Sequence, residues 1–458
     1  MKYSIDMTVS QVLKDNGART IADRFLPGVI DRAAGNPGAK DLSLRTLIGY
    51  MGGAIPQDVV NQLDEALQAY GKDKGLSEEE KDKIALYKSI AEQDKKHWEE
   101  KKNLPDVKKE TIEPGRVWLD TKGERIQAHG GAVYYEESTG TYYWYGENKE
   151  HTDGVSDIWT WGIRCYQSKD LTNWEDMGLI IEPVLDDPES NLFPDMRLDR
   201  PHIRYCEKTG KFVSWIKLSG EEACFIILQS DSLLGPYAIE KENYRPFGYK
   251  AGDFDIVENY LFMDADHKGV VTLELSEDLL SAEKEVCWSY KDLYAPFTRE
   301  GIAVCERNGR KYMLTSGMTG YIPNQSDSAS AENWTDEFVS TGDPYPEDDS
   351  LASYNSQFTQ IFHVPDSDLY IALADRWVPE YPVDYDRAML IRRVIAQRSD
   401  PEHYQAEREE RMELMNSPML KSANTSIADY VWLPISFEDD KPVFHWLDNW
   451  KAEDYRGN

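Results

Sequence analysis

Between residues 126 and 147 the chain reads IQAHGGAVYYEESTGTYYWYGE, two apolar and aromatic runs joined by a turn at Ser138, Thr139 and Gly140. This predicts a β-hairpin. The layout recurs: a strand opening on polar or charged residues, a Gly-containing turn, an aromatic-rich partner, and a further strand closing near a Ser, Asp, Leu or Trp cluster. Inner strands are predicted around His129 (AHGGAV), Asp199 (DRPHIRY), Asp253 (GDFDIV), Glu300 (REGIAV) and Gln357 (YNSQFTQIF), with partners YYWYGE, KFVSWIKL, NYLFMDA, KYMLTSG and LYIALADRW. Their starts fall about 47 to 72 residues apart, a spacing suited to four-stranded blades with loops. The expected fold is mainly β, a five-bladed β-propeller. The tail YVWLPISFEDDKPVFHWLDNW alternates about a turn at Glu438–Lys441 and is expected to complete the last blade or close the ring. Residues 400–424 break the strand pattern and are expected to form a surface helix or loop.

The first part of the chain has a different period. Val12, Ile21 and Phe25 recur among charges at helical spacing, and SLRTLIGYMGG and PQDVVNQLDEALQAYG supply two more helices, with Pro56 near a helix start and Gly71 as a stop. This predicts a small N-terminal α-helical bundle. The run SEEEKDKIALYKSIAEQDKKHWEEKK is a charged helix with Ser77 as its N-cap, and Pro105 and Pro114 mark an extended connection. The expected division is a helical accessory domain over 1–75, a helical and extended linker over 76–115, and the propeller over 116–458.

The net charge of −32 changes the list of partners. A nucleic-acid ligand needs Lys and Arg to displace counterions, so nucleic acid is excluded as an expected partner. With 13 Trp and 27 Tyr, the chain has the aromatic faces that stack on sugars, although the same residues also fill sheet cores. Cys165, Cys206, Cys224, Cys287 and Cys305 have no metal-ligand spacing and read as buried thiols. The start MKYSIDMTVSQVLKDNG has no signal-like apolar run, and no stretch is long enough for a membrane span. A cytoplasmic protein with no membrane partner is expected.

Strand starts on different blades converge at one end of a propeller channel. His129, Asp199, Asp253, Asp255, Glu300 and Gln357 are therefore candidates to surround one small ligand. Paired carboxylates are the usual equipment for glycosidic bond cleavage, one donating a proton while its pKa is held up by burial or by a charged neighbour. No zinc-binding spacing accompanies His129, so no metal or cofactor is expected; a structural cation in the channel is left open by the several acids there.

The motifs AHGGAVYYEESTGTYYWYGE, DRPHIRYCEKTGKFVSW, GDFDIV, REGIAV with TSGMTGYIPN, and SYNSQFTQIF with ALADRW together resemble glycoside hydrolase family 43, and within it the exo-β-1,3-galactanase branch. The resemblance covers residues 116–450. It implies a five-bladed propeller, an oligosaccharide substrate and hydrolysis with inversion. It implies Glu300 as general acid, Asp253 as the carboxylate that raises the acid's pKa and orients it, and Gln357 at the water-activating position, with Glu147 as a second candidate. The family's usual first-strand Asp is replaced by His129, as in the galactanase-like branch. The resemblance further implies a substrate cradle of His129, Tyr145, Glu147, Asp199, Arg200, Asn324, Arg376 and Trp377. The activity expected is removal of terminal galactose from β-1,3-linked galacto-oligosaccharides. The alternatives are β-xylosidase or α-L-arabinofuranosidase activity, or a non-catalytic carbohydrate-binding propeller.

Overall fold

Short polar side chains start the first helices in the computed structural model, which describes residues 3–35, 39–52, 54–418 and 423–455. Thr8 and Gln11 cap each other reciprocally at the start of α1 (Val9–Lys14), Asp15 accepts from the amides of Gly17 and Ala18 at the start of α2 (Asn16–Phe25), and Ser43 caps α4 (Leu44–Tyr50). Helix α3 (Val29–Ala34) follows Gly28, and α5 (Gln57–Lys74) follows Pro56, which is its N-cap. Val12, Ala22, Leu26, Ile30, Leu44, Leu63 and Leu67 form the core of this bundle. The expected helix stop at Gly71 is not one, because α5 continues to Lys74. A glycine is needed at this helical position because a Cβ would lie 2.7 Å from the Tyr3 ring. Helix α6 (Glu78–Lys101) starts as expected, with Ser77 and Glu80 capping each other. The chain divides into two compact units, Met1–Trp98 with Val184–Ser190, and Glu99–Pro183 with Asn191–Asn458.

The second unit is a five-bladed propeller. Blade I contains β1 (His129–Glu136), β2 (Thr141–Glu147), β3 (Ile163–Ser168) and β4 (Glu175–Ile181); blade II contains β5 (Leu198–Cys206), β6 (Lys211–Leu218), β7 (Cys224–Ser230) and β8 (Ala238–Tyr244). Blade III is β9 (Ala251–Val257), β10 (Tyr260–Ala265), β11 (Val270–Leu275) and β12 (Ala282–Ser289), and blade IV is β13 (Arg299–Arg307), β14 (Arg310–Gly317), β15 (Asp327–Ala331) and β16 (Val339–Gly342). In blade V, β17 (Gln357–His363) pairs with β18 (Tyr370–Arg376), which also pairs with β19 (Asp429–Tyr430) and β20 (Leu433–Pro434). Each inner strand packs on the next, β1 on β5, β5 on β9, β9 on β13, β13 on β17, and β17 returns to β1. The ring is closed, which leaves no inner edge exposed.

Two helices, α7 (Tyr385–Ala396) and α8 (Arg408–Met415), are inserted between β18 and β19. The second falls where the strand pattern breaks; the first was not anticipated. The tail supplies β19 and β20, then a hairpin of β21 (Ser436–Glu438) and β22 (Lys441–Val443) turning at Asp439 and Asp440. The segment read as an extended linker is bonded to the propeller: Ile112 exchanges backbone hydrogen bonds with Trp450, and Gly115 donates to the Tyr430 carbonyl. Ile112, Trp118 and Ile126 share a core with Trp144, Trp174, Trp432 and Trp450. None of the five cysteines is in a disulfide; four are buried as expected, and Cys287 is half-buried. Among the described residues, no helix is long and apolar enough to cross a membrane.

Candidate active site

Every inner strand carries one extra residue near its start. Two residues of the inner strand replace one in the ladder at 130–131 opposite Gly146, at 200–201 opposite Ile216, at 252–253 opposite Asp264 and at 301–302 opposite Thr315, and β17 slips at Thr359. Such bulges bend the strand and re-aim the neighbouring side chain. Gly130, Arg200 and Gly301 take positive φ at three of them. Glycine does so without strain, whereas Arg200 requires the surrounding bonds to hold it there.

Those bonds centre on Asp253. It is 6% exposed and accepts from Lys217 Nζ at 2.6 Å and from the Gly301 amide at 2.9 Å, while the Arg200 guanidinium lies 3.0 Å from its second oxygen. Asp253 therefore grips the bulge that follows Glu300. Burial alone would raise the Asp253 pKa, but the charges of Arg200 and Lys217 outweigh it and hold the carboxyl well below the usual range. Glu300 behaves oppositely. Burial, and next the Asp253 charge, push it up to about 8. Two neighbouring carboxyls are thus driven apart, one ionised and one protonated at neutral pH.

Gln357 ties the acid to the arginine. Its Nε2 donates to Glu300 Oε1 at 3.2 Å and to Ser316 Oγ at 3.0 Å, and its Oε1 accepts from Arg200 at 2.6 Å and from Trp377 Nε1 at 3.1 Å. Ser316, Tyr321, Asn324, Gln357, Asp375 and Trp377 line a small depression. Tyr321 lies between two indoles, 5.1 Å from Trp377 and stacked 6.0 Å from Trp159, so that an aromatic wall borders the site. Asp199, which is 9% exposed, accepts from Trp159 Nε1 at 2.7 Å and from Ser219.

Glu147 is 1% exposed and is held by the Arg200 amide at 2.8 Å and by Lys149 at 2.8 Å; burial raises its pKa, and Lys149 offsets part of that rise. His129 is wholly buried. Its Nδ1 faces Asp375 at 3.0 Å, its Nε2 faces Gln127 and the Tyr430 hydroxyl, and its ring stacks on Tyr430 at 4.8 Å. Asp375 also accepts from the Gly130 amide at 2.7 Å, so the His129–Asp375 pair braces the first bulge much as Asp253 braces the fourth.

The structure thus brings together Glu300, Asp253, Gln357, Arg200 and Trp377 by direct bonds, with Glu147 and Asp199 beside Lys149. Other expected cradle residues are placed differently. The Tyr145 hydroxyl is spent on the backbone of Ile203, and Arg376 donates to the carbonyls of Gly115 and Tyr354, so both tie framework segments together. Asn324 lines the depression, but its amide is engaged with Gly317 and Thr319 and shapes the 317–324 loop. Asp255, also at a strand start, is bonded to the amides of Val304 and Ile256 and lies 3.4 Å from His202. Lys217, Lys149, Asp375, Trp159 and Tyr321 were not singled out from sequence, although Tyr321 stands in the TSGMTGYIPN run.

The sequence pattern of the family described as glycosyl hydrolases family 43 matches residues 131–394. The chain belongs to that family. Membership of family 43 supports a glycosidase activity, and the propeller described above is its fold. Among solved structures the chain is similar to a family 43 β-1,3-galactosidase, at 26% identity and a TM-score of 0.59, over 75% of this chain and 64% of that one. The match therefore spans less than two thirds of that relative's length. It is also similar in fold to exo-β-1,3-galactanases from Phanerochaete chrysosporium (21% identity, TM-score 0.58, 75% of this chain and 68% of that one) and Clostridium thermocellum (24%, 0.56, 74% and 66%). No curated protein matches this family 43 chain.

Proposed function

We propose that this family 43 protein is an inverting, exo-acting glycoside hydrolase that removes terminal galactose from β-1,3-linked galacto-oligosaccharides. The observation that carries this reading is the divided carboxyl pair, with Glu300 held protonated beside an ionised Asp253 that grips its strand. A pure binding site has no use for a raised-pKa acid. The depression beside Gln357 lies next to Glu300, where the end of a glycan chain would meet the acid. The choice of galactose rests on the similarity to the named galactosidase and galactanases.

In this mechanism Glu300 donates its proton to the leaving glycosidic oxygen as the bond to the anomeric carbon breaks, and water attacks that carbon from the opposite face. Asp253 keeps Glu300 protonated and aimed. Inversion needs about 6.5–9.5 Å between the acid and the group activating water. Gln357, bonded to Glu300, reaches the water only by releasing the acid when substrate binds. Glu147 is the second candidate, its raised pKa lying nearer the range of a general base. Trp377 and Tyr321 border the sugar with aromatic edges and Asp199 offers a hydroxyl-binding carboxylate, while Arg200, its guanidinium spent on Gln357, Asp253 and the Phe358 carbonyl, holds the frame of the site. His129 holds Asp375 and the first bulge.

The test is release of monosaccharide from β-1,3-galacto-oligosaccharides and a panel of nitrophenyl glycosides, by wild type and by Glu300→Gln. Galactose release that falls about 10²–10⁴-fold in the variant is expected. Release of xylose or arabinose instead would retain the acid and replace the substrate. Saturable sugar binding without turnover, unaltered by Glu300→Gln, would sink the catalytic reading.

A further inference from the structure

A second cavity, of about 70 Å³, is lined by Pro296, Phe297, Arg299, Pro323, Met389 and Arg392 among others, between the loop entering β13 and helix α7. Pro323 and Asn324 line both this cavity and the depression at Gln357, so one loop separates the two. Arg299 immediately precedes Glu300. Its Nε is buried without a hydrogen-bond partner, its Nη1 makes a long hydrogen bond of 3.5 Å to the Gln325 carbonyl, and its guanidinium lies 5.7 Å over the Tyr290 ring. The Arg392 guanidinium lies 4.8 Å over the Phe297 ring. Among the described residues neither arginine is in an ion pair, although the chain carries 83 Asp and Glu against 51 Lys and Arg.

Two guanidiniums that rest on aromatic rings and have no carboxylate partner among the described residues are an unusual use of positive charge in so acidic a chain. Guanidinium donors match a carboxylate's two oxygens, and the walls of Pro296, Phe297, Pro323 and Met389 suit the C–H face of a ring. We propose that this cavity binds a carboxylate-bearing sugar, a hexuronate unit of the glycan, with its carboxylate on Arg299 and Arg392. Its place beside the strand that carries Glu300 puts the uronate on the leaving-group side. That placement rests on Glu300 being the acid; the binding itself does not.

The experiment is calorimetric titration of the whole chain with glucuronate, galacturonate, galactose, acetate and inorganic phosphate, repeated on Arg392→Gln and on Met389→Glu. A uronate is expected to bind at least tenfold more tightly than galactose or acetate. Each substitution should weaken it tenfold or more, the first by removing a donor and the second by placing a like charge in the cavity. Turnover of a neutral nitrophenyl glycoside by Arg392→Gln should stay within twofold of wild type. Undetectable uronate binding, binding unchanged in both variants, or acetate or phosphate binding as tightly as uronate overturns the proposal. Because titration needs no turnover, an inactive chain that still binds uronate would refute the catalytic reading and leave this one standing.

Discussion

At the scale of single residues, the site works through charges that do not cancel evenly. Lys217 and Arg200 keep Asp253 ionised, while half-buried Glu300 is pushed up first by desolvation and next by the Asp253 charge, which Lys217 offsets only in part. An acid catalyst must be protonated, so turnover should fall as pH rises through about 8. Asp253→Asn removes the negative neighbour and leaves Lys217 and Arg200 unneutralised. The alkaline limb of the pH–rate profile should then move to lower pH by about 1–3 units, with turnover near neutrality reduced. A limb that stays in place would mean that Asp253 does not set the acid's pKa. Glu300 and Asp253 were legible because each sits in a short motif at a strand start. Lys217 was not: a lysine near the end of the second strand in KFVSWIKL looks like any solvated strand end, and only the register that puts it opposite Asp199 reveals it. Asp375 was hidden in the same way, in a second strand whose partner His129 is about 250 residues distant.

Among the elements, the recurrent bulge does more than any one strand to shape the site. The strand periods were readable from alternation and turn residues, but a bulge adds a residue without disturbing composition, and its position emerges only from pairing. Gly131 shows the constraint: a Cβ there would lie 1.8 Å from the Tyr145 carbonyl oxygen. Gly131→Ala should cost about 1–3 kcal/mol or more, read as a lower urea midpoint, and should lower turnover as well, since the bulge aims the strand start. Helix α7 escaped the sequence reading because DYDRAMLIRRVIA follows a strand without a blade-like signal and its apolar face is short. In the bundle, Asp15 is both the N-cap of α2 and the acceptor for Tyr3, Tyr70 and Lys74. Burial opposes its ionisation, but these bonds win and hold its pKa below the ordinary value. A depressed carboxyl stabilises the fold above its unfolded pKa of about 3.9 and loses that contribution as pH falls below it. Asp15→Asn should therefore destabilise the helical unit by about 1–3 kcal/mol at pH 7, with the difference from wild type shrinking toward pH 2, as followed by circular dichroism.

For the whole molecule, five blades were countable from five polar strand starts, and the tail was expected to complete the last blade or close the ring, yet the partner it meets before the first blade was not legible. The proline-marked stretch before the first blade reads as a connection because nothing local reveals that Ile112 will pair with Trp450. Trp450, 4% exposed and bonded through its indole to the Trp432 carbonyl, fixes that pairing in an aromatic core shared by blades I and V. Trp450→Ala should lower propeller stability by about 3–5 kcal/mol and leave the unfolding of the helical unit where it was; a common shift in both transitions would show that they unfold as one. The same pairing has a consequence in time. During synthesis Trp450 is added about 340 residues after Ile112, an interval of roughly 20–70 s at ordinary elongation rates. Until blade V is made, the finished blades form an open arc in which β1 has no β17 to pack on, so this is the stage at which a chaperone, or another nascent copy, meets the open ring.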